Sequence, residues 1–231
     1  MPRLLSLLPF LPLVLLAACA PWRAAAEAGP RSITYVALGA SDAVGVGARD
    51  PERDGWVPRF YHQLPPGSSV ANLGVSGSLL GQAIDQQLPV AVAARPDLVT
   101  VWLAVNDLNA RVPLEKYSAD LDRLLAALQG TGARVLIGNI PDVAQLPVYR
   151  SLDPAFVRAQ VDAWNGAIAE AATRHGALLV DLHATWPELA DHPEYVASDG
   201  FHPSEEGYAR LAELFWQALE ANGGLQKVGG V

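Results

Sequence analysis

Cysteine is almost absent: Cys19 is the only one in 231 residues, so no disulfide can close within the chain. Basic side chains are scarce too, 16 Lys and Arg against 24 Asp and Glu, giving a formal net charge of -8 and a pI near 5.0. Gripping a nucleic-acid backbone or an anionic membrane surface needs clustered Lys and Arg, so neither is expected as a partner. No unbroken apolar run reaches the roughly 20 residues of a spanning helix. Heptads and a long apolar surface run are also missing, so a monomer is expected. What is plentiful is hydrophobic content, 51% of the chain. That suffices for one well-buried domain in a chain too short for two.

The first residues, MPRLLSLLPFLPLVLLAACA, carry one basic side chain, Arg3, and an apolar run broken by Pro9 and Pro12 that closes on small residues. This pattern reads as an export signal. Leu16-Ala17-Ala18-Cys19 resembles the lipobox of bacterial lipoproteins, in which the cysteine sulfur takes a diacylglycerol and becomes the first residue of the mature protein. An ordinary secretory signal cut nearby would instead leave Cys19 on the discarded peptide. The lipobox reading divides the chain into a signal peptide (1–18), a lipidated N-terminus and tether (19–31), a folded domain (32–224) and a short tail (225–231). It places the protein outside the cytoplasm in the cell envelope, held to a membrane only through Cys19. That membrane is the outer one, which Ala20 in place of Asp favours where a cell has one, or the outer face of the cytoplasmic membrane.

Five short apolar runs recur at 33–38, 69–73, 98–105, 133–140 and 177–182, with segments of helical period between them. Leu114, Tyr117, Leu121, Leu124, Leu125 and Leu128 share one helix face, and Gly130 stops that helix. Phe156, Val157, Val161, Trp164, Ile168 and Ala172 repeat the pattern up to Gly176. A last helix begins at Ser204, a cap residue followed by Glu205 and Glu206 in its first turn. Strands alternating with helices imply parallel pairing through right-handed crossovers, hence an α/β fold: a three-layer α/β/α sandwich on a five-stranded parallel sheet. Ligands in such folds lie beyond the carboxyl ends of the strands.

The residues just after the runs are therefore the candidates. They include Ser41 and Asp42, then Gly74 and Ser76, then Asn106 and Asp107, then Asn139, Pro141 and Asp142, then Asp181 and His183. Ahead of the last helix, Asp199 stands three residues before His202. A serine hydroxyl becomes nucleophilic when a histidine takes its proton and a carboxylate fixes that histidine's tautomer. Small residues at strand-to-helix turns leave backbone N–H groups free for an oxyanion, which suits Ser41 and Gly74, and the Asn106 amide can add a donor.

With these residues in view, the chain resembles the SGNH hydrolases of the GDSL esterase/lipase family from about Ser32 to the last helix. Four blocks carry the likeness: Ser41 in GASDAVGVG, Gly74 in NLGVSG, Asn106 in LAVND, and Asp199 with His202 in DGFHPS. The resemblance implies a flavodoxin-like sheet, a Ser41–His202–Asp199 triad, and an oxyanion hole from Ser41, Gly74 and Asn106. Two departures stand out. The family's Gly-Asp-Ser reads Gly39-Ala40-Ser41, with Asp42 after the serine, and Ala104 replaces the Gly two residues before the asparagine.

Rival assignments are weaker. Ser76 in GVSGS lacks the final Gly of a nucleophile elbow, since Ser78 stands there. His183 is the alternative base, while His62 and His175 read as packing or surface residues and His192 lacks the pattern. Asp107 reads as a ligand of local backbone, Trp102 as buried in its strand, and Trp186 and Asp142 as rim. Gly39, Gly45 and Gly47 do not follow the dinucleotide-loop spacing, and no metal-ligand motif is present, so neither cofactor nor metal is expected. The expected activity is hydrolysis of a small-molecule carboxylic ester through an acyl-enzyme. Acyl transfer to envelope carbohydrates would use the same residues, and a non-catalytic binding lipoprotein for acylated ligands would not need an activated serine. Cys19→Ser is expected to abolish incorporation of a fatty-acid analogue in growing cells, read by in-gel fluorescence after labelling.

Overall fold

The computed structural model describes residues 31–228. The expected signal peptide, Cys19 and nearly all of the tether lie outside the described residues, as does the end of the tail. Five strands, β1 (Thr34–Gly39), β2 (Ser69–Asn72), β3 (Leu98–Trp102), β4 (Arg134–Gly138) and β5 (Leu178–Val180), pair in parallel in the order β2-β1-β3-β4-β5. The order reverses between β1 and β3, which puts the topological switch point beside the end of β1.

Between β1 and β2 lie α1 (Ser41–Val44), α2 (Pro51–Asp54) and α3 (Trp56–Tyr61). Helices α4 (Leu80–Gln86) and α5 (Leu88–Ala93) precede β3, and α6 (Val105–Asn109) and α7 (Leu114–Gln129) precede β4. The long α8 (Pro154–His175) leads to β5, followed by α9 (Leu182–Thr185) and α10 (Glu205–Ala221). Helices α3 and α10 cover one face of the sheet, where Trp56 packs on Phe215 with ring centroids 4.6 Å apart and Phe60 on Trp216. Helices α4, α5, α7 and α8 cover the other, where Tyr117 and Trp164 lie 4.4 Å apart. The expected three-layer sandwich is the one that forms.

Central β1 and β3 are covered on both faces, which is why they read as continuous apolar runs. Tyr35, Val36, Ala37, Leu38, Leu98, Val99 and Val101 are fully buried. Thr100 is buried among them without cost in hydrogen bonding, because its hydroxyl pairs with that of Tyr35 at 2.8 Å. Both anticipated helix faces point inward, with one exception: Phe156 is 60% exposed, although Val157, Val161, Trp164, Ile168 and Ala172 are buried. Ser204 caps α10 as expected, accepting from Gly207 N–H at 3.2 Å.

The runs overstate three strands. Strand β3 stops at Trp102 and Val105 already opens α6; β4 stops at Gly138; and Asp181 caps α9 by accepting from Ala184 N–H. Leu103, Ala104, Ile140 and Leu182 remain buried past the last ladder bonds, so apolar character continues where pairing has ended. Beyond α10 a 3-10 turn spans Gly224–Lys227, and Val228 is buried. No helix of the described residues is long and apolar enough to cross a membrane.

One buried side chain fixes the end of β1. Gln87 Oε1 accepts from Gly39 N–H at 3.0 Å while its Nε2 donates to Gly39 C=O at 2.9 Å. The amide thus stands in for a neighbouring strand at the residue two before Ser41. Gln87→Leu would leave the buried Gly39 N–H unpaired, while the Gly39 C=O keeps the Val75 N–H at 3.3 Å, so a loss of about 1–3 kcal/mol is expected in urea unfolding.

Candidate active site

Ser41 is the first residue of α1, immediately past the carboxyl end of β1. In that position its N–H has no carbonyl one turn back within the helix to bond. Two glycines make the placement possible. A Cβ at Gly39 would come within 2.5 Å of the Ala43 Cβ, and one at Gly74 within 2.7 Å of the same atom. Helix α1 is therefore seated between the ends of β1 and β2 at a spacing that no side chain at either position would allow.

The other half of the site arrives from the far end of the chain. Asp199 Oδ1 accepts from the backbone N–H groups of Phe201 and His202, at 2.9 and 3.0 Å, which holds the short turn ahead of α10. Ala197 N–H also donates to His202 C=O at 2.8 Å. Gly47, with φ of 106°, packs directly beneath this turn, where a Cβ would meet Pro203 O at 2.4 Å and the His202 Cβ at 3.2 Å. The Tyr208 hydroxyl of α10 donates to Val46 C=O at 2.6 Å, tying the two segments together.

The result is a hydrogen-bonded line. His202 Nε2 lies 2.8 Å from Ser41 Oγ, and His202 Nδ1 lies 2.6 Å from Asp199 Oδ2. Partial burial pushes the Asp199 carboxyl up, but the His202 ring and the two backbone N–H groups outweigh this and hold it below the usual carboxylate range. A carboxylate that stays ionised keeps the Nδ1 proton in place and leaves Nε2 free to accept from the serine hydroxyl.

The expected oxyanion donors are only partly free. The Gly74 N–H, expected to be unengaged, is bonded to Asn72 Oδ1 at 3.1 Å, because Asn72 also donates to Ala43 C=O at 2.6 Å and so bridges the β2 turn to α1. Asn106, in the first turn of α6, gives one amide hydrogen to Ser78 C=O at 3.1 Å, and the amide carries a second. Asn72, Ser78 and Gln87 escape a motif search. The spacing of Asn72 two residues before Gly74 was a legible signal for the first, since asparagine side chains commonly bond backbone two residues on.

Other candidates resolve simply. Asp107 is bonded to backbone, to its own N–H and also to the Leu80 N–H at the start of α4, 27 residues away. Trp102 is half-buried, not fully so, and donates to Asn139 C=O. His175 pairs with Asp122 at 2.9 Å, His183 approaches Asp162 at 3.8 Å, His192 pairs with Glu194, and Ser76 is exposed with no histidine bonded to it among the described residues. Asp142 caps the turn Val143–Gln145 and pairs with Arg158 at 3.0 Å. Among the described residues no three His, Cys, Asp or Glu side chains converge as metal ligands would.

Behind His202 lies an apolar cavity of about 40 Å³, walled by Trp102, Ile140, Val143, Leu146 and Trp186. Asp42 also lines it, only 7% exposed, and burial pushes its carboxyl up to about 6.

Residues 32–210 match the model of the GDSL-like lipase/acylhydrolase family. The chain belongs to that family. As a GDSL-family protein it is a serine hydrolase acting on ester bonds. It is similar to an acetylxylan esterase of Geobacillus stearothermophilus, 26% identical over 71% of this chain and 77% of the relative. It is also similar to an arylesterase of Vibrio mimicus, 24% identical over 77% of this chain and 84% of the relative. Among solved structures, a psychrotrophic esterase of Pseudoalteromonas sp. superposes with a TM-score of 0.65 over 81% of this chain and 97% of its own, at 16% identity. That level of identity speaks for the fold alone.

For this esterase the glycine packing gives a direct test. Gly74→Ala is expected to displace Ala43 and with it Ser41, lowering kcat/KM by about 10²-fold and stability by about 1–3 kcal/mol, read by ester hydrolysis and thermal melts.

Proposed function

We propose that Ser41, His202 and Asp199 form the catalytic triad of a lipid-anchored esterase of the cell envelope. The observation that carries the reading is the unbroken line from Asp199 Oδ2 through both His202 nitrogens to Ser41 Oγ, with contacts of 2.6 and 2.8 Å. Groups 161 residues apart in the chain meet at hydrogen-bond distance, at the place where this fold class presents its ligands.

The chemistry follows from the protons. His202 Nε2 takes the Ser41 hydroxyl proton as Oγ attacks the ester carbonyl carbon, and the carbonyl electron pair moves to oxygen. That oxyanion is held by the Ser41 N–H and the second hydrogen of the Asn106 amide. The Gly74 N–H joins them by exchanging a neutral acceptor, Asn72 Oδ1, for a charged one, which is the stronger bond. Collapse of the intermediate breaks the bond to the alcohol oxygen, which receives the proton from His202. Water, deprotonated by the same histidine, then attacks the acyl-serine, and collapse breaks the bond to Ser41 Oγ, which takes the proton back from His202 as the acid is released. Asp199 keeps the imidazole oriented and offsets its positive charge throughout.

The acetylxylan esterase among the relatives supports trying acetyl esters first. The anchor reading rests on Leu16-Ala17-Ala18-Cys19 and carries the enzyme to esters outside the cytoplasm.

The test is hydrolysis of p-nitrophenyl acetate by the domain from Ala20 onward. Ser41→Ala is expected to abolish acyl-enzyme turnover and fluorophosphonate labelling with an unchanged circular-dichroism spectrum, and Asn106→Ala to lower kcat by about 10²- to 10³-fold. Wild-type protein that neither hydrolyses the ester nor takes the label at Ser41 would overturn the triad assignment.

A further inference from the structure

We propose that Asp42 is a second carboxylate of this catalytic centre: a positioning residue, held beside His202 without a side-chain hydrogen-bond partner among the described residues, whose charge is compensated there only while His202 is cationic. The inference rests on the triad reading above and extends it to a residue outside the triad.

The family signature spells Gly-Asp-Ser-Leu, whereas this chain reads Gly39-Ala40-Ser41-Asp42. The acid is missing before the serine, and an acid occupies the place of the leucine after it. That place is interior. Asp42 is 93% buried and its side chain lines the same small apolar cavity as His202, among Trp102, Val143 and Leu146. Its carboxyl receives a hydrogen bond from its own backbone N–H, and no side chain of the described residues donates to it. A buried carboxylate so poorly satisfied costs free energy, and a leucine there would cost none.

The groups facing Asp42 determine what that cost can be used for. His202 and Asp199 approach from the turn before α10 and the Tyr208 phenol from α10 itself, and Tyr195 lines the same cavity. Asp199 repels the Asp42 charge, and burial beside both carboxylates drives the Tyr208 hydroxyl up, so that it stays neutral. His202 alone among the four can become a cation. While the imidazole is uncharged, Asp42 has no countercharge among the described residues. When His202 takes the serine proton, the attraction appears. An interaction absent in the ground state and present in the transition state lowers the barrier, which uniform binding does not.

The same geometry gives a stability signature. Burial pushes the folded-state carboxyl up to about 6, above the ordinary carboxylate range, so the folded protein binds this proton more tightly than the unfolded one. Stability then falls as pH rises from about 4 to about 6 and stays lowered above that. Removing the carboxylate should make the protein more stable in neutral solution and a slower enzyme.

The experiment compares Asp42→Asn with wild type, with Ser41→Ala as the control that tests the triad reading independently. Asp42→Asn is expected to lower kcat on p-nitrophenyl acetate about 10-fold and to move the acid limb of kcat/KM to lower pH by about one unit, since a neutral neighbour no longer favours the proton on His202. Its melting temperature should exceed that of wild type at pH 8 and match it at pH 4. Asp42→Leu, which restores the family residue, is read in the same way should the asparagine variant fold poorly. An acid limb that stays in place or moves to higher pH, whatever the kcat, overturns the inference and leaves Asp42 a packing residue. Activity retained in Ser41→Ala would instead overturn the triad.

Discussion

The site depends on how closely α1 can sit against the ends of two neighbouring strands. Ala43 of that helix occupies space that a side chain at either Gly39 or Gly74 would need. This contact settles where Ser41 stands relative to β1, β2 and the Gly74 turn, and Gln87 and Asn72 then fix the backbone on both sides of it. The parallel sheet supplies the ends and the glycines supply the clearance. A strand-to-helix turn without them could carry a serine, but not with α1 seated this close to both strand ends.

The histidine reaches the serine by a separate route. The turn from Asp199 to His202 is held by its own carboxylate, which accepts from two backbone N–H groups and the ring at once. The turn is then docked on Gly47 and secured by the Tyr208 hydroxyl. Ser41 and the Asp199–His202 turn thus belong to separate, locally ordered units that meet at 2.8 Å, and α10 packs with α3 on the first face of the sheet. The buried Asp42 lies at the same junction, where burial pushes its carboxyl up.

Parallel β1 and β3 were legible because both faces are covered, so their sequence is apolar throughout; α7 and α10 were legible because one face is. The strand ends were not, since Leu103, Ala104, Ile140 and Leu182 stay buried after pairing stops. Phe156 followed the helical period of α8 and is nonetheless exposed, because period marks a face and not how far the neighbouring layer extends.

The sequence by itself determined the α/β sandwich, the family, and the short list of strand-end groups, because each rests on local pattern or on residues fixed by their place in a block. Tertiary structure alone decided the rest. It brought Ser41 and His202 together across 161 residues. It engaged the Gly74 N–H with Asn72 where spacing suggested a free donor. It also turned Asp42 inward, beside the histidine. Hydrogen-bond partnership and burial are properties of neighbours in space, and a chain order that places those neighbours far apart carries no record of them.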